Sequence, residues 1–315
     1  MSDWYALQNI EDAAKRTREL LLPFDWRLWA RIAVMAFFVG GVAFPGATTG
    51  GDFSSEQDFD MAQYQGSDFF DFTASSMEFN GFSLNMLVLA AVIASLGLAL
   101  LFGVLRAVFG FVYYQSLLDD NVRIRRNFRK HFVNGLKLFA FEIVAVLLFM
   151  LAGALLILPL FVTLFSLIIT VPLAILLVLA ALVFFQFTSD FIPLFVIERE
   201  QGILASWQDL YQIIIDEWRQ LGLYFVVKTV IGVMVQIAVA TASLVFGLLL
   251  VLPVGLVAFA LYLLFKPLAL LAVLIGLMVW IGGIVYFLNG PVTTFFRYYG
   301  LMVYNDLTQV ENIEN

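Results

Sequence analysis

The sequence has no cysteine and one histidine, His131, in 315 residues. Disulfides, thiolate metal sites and cysteine catalysis are excluded, and paired-histidine motifs such as H-E-x-x-H cannot be built. Charge is scarce as well: 13% of residues are Asp, Glu, Lys or Arg, while 62% are hydrophobic. Soluble domains run at about 25% charged and about 45–50% apolar. A chain with a mean hydropathy of +0.95 cannot cover its surface with polar groups. That excludes a soluble enzyme, a disordered protein and a nucleic-acid binder. Lysine is rare and aspartate common, the balance of a halophile's solvated surface, and the formal net charge is −7. No P-loop, dinucleotide fingerprint or G-x-S-x-G elbow occurs. The first 22 residues mix charges, unlike a secretory leader.

What remains is long apolar runs. A bilayer core about 30 Å thick needs about 20 apolar residues per helix. Ile32 to Gly51 carries no charge, nor does Phe79 to Leu105, nor Ile143 to Ser189; Thr229 to Phe296 is interrupted only by Lys266. We read an all-α, polytopic, single transmembrane domain over 1–315, with spans at about 26–45, 84–105, 137–158, 173–194, 222–246 and 268–290. The connecting parts are an amphipathic helix (1–25), an acidic outer loop (46–82), a basic loop (119–136) and a second amphipathic helix (198–220). Arginine and lysine around the start of span one and between spans two and three, against seven acids and no base from Pro45 to Phe82, put both termini in the cytoplasm and the chain in the cell membrane.

The spans read as three hairpins. Span three is followed by an apolar segment bracketed by Pro159 and Pro172, span five by one bracketed by Pro253 and Pro267. Proline ends a helix, and apolar stretches this short are re-entrant, interfacial or parts of longer spans. The stripe Ile203, Leu204, Trp207, Leu210, Tyr211, Ile214 and Ile215 predicts a surface helix. Trp4, Leu7, Ile10, Ala14, Thr17 and Leu21 predict another, capped by Ser2 or Asp3 and stopped by Pro23. Both should lie flat at the inner interface or dock a cytoplasmic protein. Tyr113, Tyr114, Phe184, Phe185, Phe295, Phe296, Tyr298 and Tyr299 read as an interfacial aromatic belt.

Ionisable residues at membrane depth are the candidate site: Arg31, Arg106, Glu142, Asp190, Lys228 and Arg297. Arg106 with Glu142, and Asp190 with Lys228, are the expected pairs. Arg31 and Arg297 would then leave excess positive charge at inner headgroup depth. Such a set either ties the bundle together and snorkels, or forms a basic pocket for an anionic lipid headgroup. No catalytic residue, cofactor or metal is expected.

The segment from Asp190 to Trp218, DFIPLFVIEREQGILASWQDLYQIIIDEW, carries a resemblance. A span ending in an acidic turn, then Gly, Ala and Trp on a short amphipathic helix, resembles the six-span membrane domains attached to some glycerophosphodiester phosphodiesterases. It also resembles their stand-alone archaeal relatives, and the chain looks most like an uncharacterised haloarchaeal membrane family of that type. The resemblance implies a fold and a membrane location. The catalytic His and Glu of the soluble phosphodiesterase domain have no counterpart, so it implies no activity. The expectation is a structural or binding membrane protein that engages anionic lipid or a cytoplasmic partner. The alternative is a transporter, or a lipid-translocating protein with a cavity between the hairpins.

Overall fold

The computed structural model describes residues 5–40, 84–119, 121–158 and 167–314. The acidic loop, the end of span one, the Ser2/Asp3 cap and Pro159 lie outside these residues. The described chain is helical: α1 (Tyr5–Leu21), α2 (Trp26–Gly40), α3 (Leu84–Leu118), α4 (Ile124–Ile157), α5 (Leu167–Glu198), α6 (Ile203–Asp216), α7 (Trp218–Leu264), α8 (Lys266–Ile284) and α9 (Gly290–Glu314). A five-residue π-helical segment, Val285–Asn289, joins α8 to α9. Among the described residues, five stretches are long and apolar enough to cross a membrane: Val88–Leu118, Ile124–Ile157, Ile168–Glu198, Trp218–Leu263 and Leu268–Thr308.

Helix is the form this sequence must take in lipid, where every backbone polar group needs an internal partner. The same constraint corrects the proline expectation. Pro172 and Pro193 lie inside α5, and Pro253 lies inside α7. With no water to take the freed carbonyl, the surrounding backbone bonds hold the helix through the ring. The segment 254–264 is therefore the end of α7. The chain reverses at one extended residue, Phe265. Pro267 falls in the first turn of α8, where a missing N–H has no helical partner to lose.

The helices also outrun the expected spans. At 1.5 Å per residue, α3 is about 52 Å long and α7 about 70 Å, against a core of about 30 Å. The basic loop is correspondingly short, because α4 begins at Ile124 and carries its arginines on its first turns.

Burial divides the long helices. In α3, Val88 to Phe102 is exposed, whereas Ala107 to Leu117 is buried. In α5, Phe187, Phe191, Ile192, Leu194 and Phe195 are buried, while Ile168 to Leu182 is mostly exposed. One core therefore sits at one end of the bundle. It is made by those halves of α3 and α5, the first half of α4, the start of α7, α9, and the helices α1, α2 and α6 packed on them.

The expected aromatic belt proves to be core at four positions, for Tyr113, Tyr114, Tyr298 and Tyr299 are all buried. The α1 face also differs: Asn9, Ala13, Thr17 and Leu21 are buried and Leu7 is exposed. That face packs on α9, where Asn9 Nδ2 donates to Asp306 Oδ2 at 2.6 Å. The α6 helix has two apolar faces. Ile203, Leu210 and Ile213 face the protein, while Leu204, Tyr211 and Ile215 are exposed.

Candidate functional site

Three of the six candidate ionisable residues meet in the core, from three helices. Asp190 comes from α5, Lys228 from α7 and Arg297 from α9. Lys228 Nζ donates to Asp190 Oδ2, which completes the expected pair. Tyr224 OH donates to the same oxygen at 3.0 Å. Arg297 Nη1 lies 3.8 Å from Asp190 Oδ1 and donates to the Ser189 carbonyl at 2.7 Å. Its guanidinium sits 4.8 Å from the centre of the Tyr114 ring, a cation–π contact. The Asp190 side chain is 4% exposed and that of Arg297 11%. Arg297 is therefore partnered inside this cluster and not left as spare charge. One carboxylate shared by two cations leaves a net positive charge dispersed into aromatic faces and a carbonyl.

The tyrosines are the part that sequence reasoning missed. Tyr224 stands four residues before Lys228, so one face of α7 presents both to Asp190. That spacing was the available signal. Tyr113 OH and Thr294 Oγ1 are 2.7 Å apart, a second buried polar tie from α3 to α9. These ties fit a structural role, since a buried charge without partners is costly.

The remaining candidates lie elsewhere. Arg106 is exposed and Glu142 half-buried. No ion pair within 4 Å joins them among the described residues. Arg31 is exposed on α2 and its Nη1 donates to the Val122 carbonyl at 3.1 Å. That bond seats it against the α3–α4 connection. There Arg31, Arg123, Arg125, Arg126 and Arg129 line one open groove of about 740 Å³. Asp119, 3.6 Å from Arg126, is the acid beside it. Arg31 thus belongs to a basic site, but one built with the first turns of α4 and not with the buried cluster.

The groove can do what the buried cluster cannot. Guanidinium groups present paired N–H donors that match phosphate or carboxylate oxygens, and all five arginines are exposed. Val122 and Ile124 supply an apolar floor.

A model of a family of unknown function, DUF7544, matches residues 4–310. No curated protein and no solved structure matches the chain. The match covers nearly the whole sequence, so the chain belongs to that family.

Proposed function

We propose that this member of the DUF7544 family is a multi-pass membrane protein that binds anionic lipid headgroups in the arginine groove between α2 and the start of α4. The observation that carries the reading is the convergence of five exposed arginines on one open groove with an apolar floor. Headgroup phosphates would sit on the guanidiniums, with acyl chains running along the exposed apolar halves of the helices. In this reading α2 is the first of six spans arranged as three hairpins, and the core end of the bundle faces the cytoplasm with both termini. The exposed apolar face of α6 then lies on the inner leaflet. The role is one of binding, not catalysis.

The translocation alternative would need a polar path through the exposed halves of the long helices, and the surfaces they present are overwhelmingly apolar.

Native mass spectrometry after gentle detergent extraction tests the reading. A stoichiometric anionic lipid is expected. Juxtamembrane basic residues contribute about 1 kcal/mol each, so Arg125→Gln with Arg129→Gln should weaken retention by about thirtyfold. Lys228→Ala should leave the lipid in place, because Lys228 is spent on Asp190. Bare protein, or a heterogeneous lipid shell indifferent to the two arginines, overturns the proposal.

A further inference from the structure

Further along α4 lies a second, smaller cavity of about 310 Å³, between that helix and the α5–α6 connection. Lys130, His131, Asn134 and Lys137 line it from α4, and Glu200, Gly202 and Ile203 from the connection and the start of α6. The only histidine of the chain is in its wall, 3% exposed, with Nδ1 lacking any hydrogen-bond partner. A buried polar atom without a partner calls for an occupant.

The surrounding network fixes what that atom offers. Gln115 Nε2 donates to Asp119 Oδ1 at 2.8 Å, and Lys130 Nζ donates to Gln115 Oε1 at 3.2 Å. Gln115 Oε1 is therefore the amide oxygen, which can only accept. His131 Nε2, 3.0 Å from that oxygen, must carry the ring hydrogen. A second cation beside the Lys130 ammonium on one oxygen is disfavoured. The ring then holds a single hydrogen, and Nδ1 is a lone pair. Phe111, stacked on the imidazole at 5.8 Å, fixes its plane. Nδ1 needs a ligand that donates.

The rest of the cavity needs an anion. Lys130 and Lys137 outnumber Glu200. The α6 helix starts at Gly202 with no side-chain cap. Its first helical bond is Ser206 N to Gly202 O at 2.9 Å, so the preceding N–H groups at the dipole's positive end have no helical acceptor. A ligand that is an anion and also a hydroxyl donor satisfies both demands.

We infer that this cavity binds a protonated phosphate group, its oxygens on Lys130, Lys137 and the first turn of α6, and its P–OH donated to His131 Nδ1. Inorganic phosphate, a soluble phosphate monoester and a phosphomonoester lipid share that chemistry. Sulfate has the size and charge but no hydrogen at neutral pH, so it would meet a lone pair with a lone pair.

The single histidine makes the test direct. Full-length protein carrying ¹⁵N-histidine, in detergent, gives one Nδ1 signal, from His131. Inorganic phosphate should shift it saturably, while sulfate at matched ionic strength should not. Lys137→Ala should weaken the phosphate titration about tenfold, the loss of one charge-assisted hydrogen bond. His131→Phe should abolish the preference for phosphate over sulfate in calorimetry. Nanodiscs of phosphatidylcholine with and without phosphatidic acid then separate the sources. A shift with the lipid alone assigns a headgroup, and a shift only with added phosphate assigns a soluble ligand. No shift in any arm overturns the proposal, and equal shifts with sulfate overturn the donor assignment. The wild-type titration keeps the test independent of whether a variant folds. Arg125→Gln with Arg129→Gln should leave the signal unchanged, so failure of the groove and failure of this cavity are told apart.

Discussion

The two halves of α3 show how differently one helix can be made. From Val88 to Phe102 it is Leu, Val, Ala, Ile and Gly with one serine and one phenylalanine, and exposed throughout. From Ala107 to Leu117 it is FVYYQS between apolar flanks, and buried. The more hydrophobic half is the one outside the protein, since lipid tails are as apolar as leucine and give no drive to bury it. The buried half needs shape and hydrogen bonds, and it has aromatic rings, Gln115, Ser116 and the Tyr113–Thr294 tie. α5 repeats the division. Stability should therefore be concentrated where hydropathy is lower.

The strongest way to break that contrast is to remove the carboxylate at the centre of the core half. Asp190→Asn leaves Lys228 and Arg297 buried without their shared anion. Breaking a buried pair costs about 3–5 kcal/mol, so a large fall in the detergent melting temperature is expected. Lys266→Gln, on an exposed residue whose ammonium lies 5.7 Å from the Tyr262 ring, should change the melting temperature little. Equal losses at the two sites would contradict the division.

Glycine gives the next comparison, within the same helical hairpin. A methyl at Gly135 would stand 2.6 Å from the Val108 Cα, where α4 crosses the buried half of α3; a methyl at Gly97 would meet nothing within 4 Å. Gly135→Ala should destabilise by about 1–3 kcal/mol through overpacking. Gly97→Ala should be neutral or slightly stabilising, because alanine is the better helix former by about 1 kcal/mol. Thermal unfolding of both variants reads the difference.

These contrasts also explain what could be read from the sequence. Apolar runs are a composition signal, so the long helices were legible. Asp190 with Lys228 was legible because charge at membrane depth is rare and wants a partner. The length of the helices was not, because Tyr113, Tyr114, Asn127 and His131 break an apolar run without breaking a helix. The same polar and aromatic residues made a lipid-facing belt and a buried core look alike. Arg31 was identified as a site residue, but its companions Arg123, Arg125, Arg126 and Arg129 were read as a loop. Their convergence depends on α4 starting at Ile124, which the four-residue spacing of Ile124, Phe128 and Phe132 marks, and on a bond from Arg31 to a backbone carbonyl, which leaves no mark in residue spacing. The donor requirement at His131 rests on the orientation of one glutamine amide.

The mildest perturbation sharpens the contrast most finely, because exposed apolar residues occur in both halves. Leu204 on α6 is 70% exposed and Leu252 on α7 is 72% exposed, so substituting either should alter stability by no more than a few tenths of a kcal/mol. Their surroundings should still differ. Leu252 lies in the second half of a helix about 70 Å long, far from the core, whereas Leu204 projects from the outer face of a helix that packs on the core half. The chain has no cysteine, so Leu204→Cys, Leu252→Cys and buried Leu194→Cys each place the only thiol. With spin labels in vesicles, position 252 should be relaxed by oxygen and shielded from a water-soluble nickel chelate. Position 204 should respond to both reagents, as expected at headgroup depth, and position 194 should resist labelling. If 204 is relaxed by the chelate alone, α6 stands in water and its apolar face awaits a protein. If 204 matches 252, the core half itself is immersed in the bilayer, and the two halves do not differ in their surroundings.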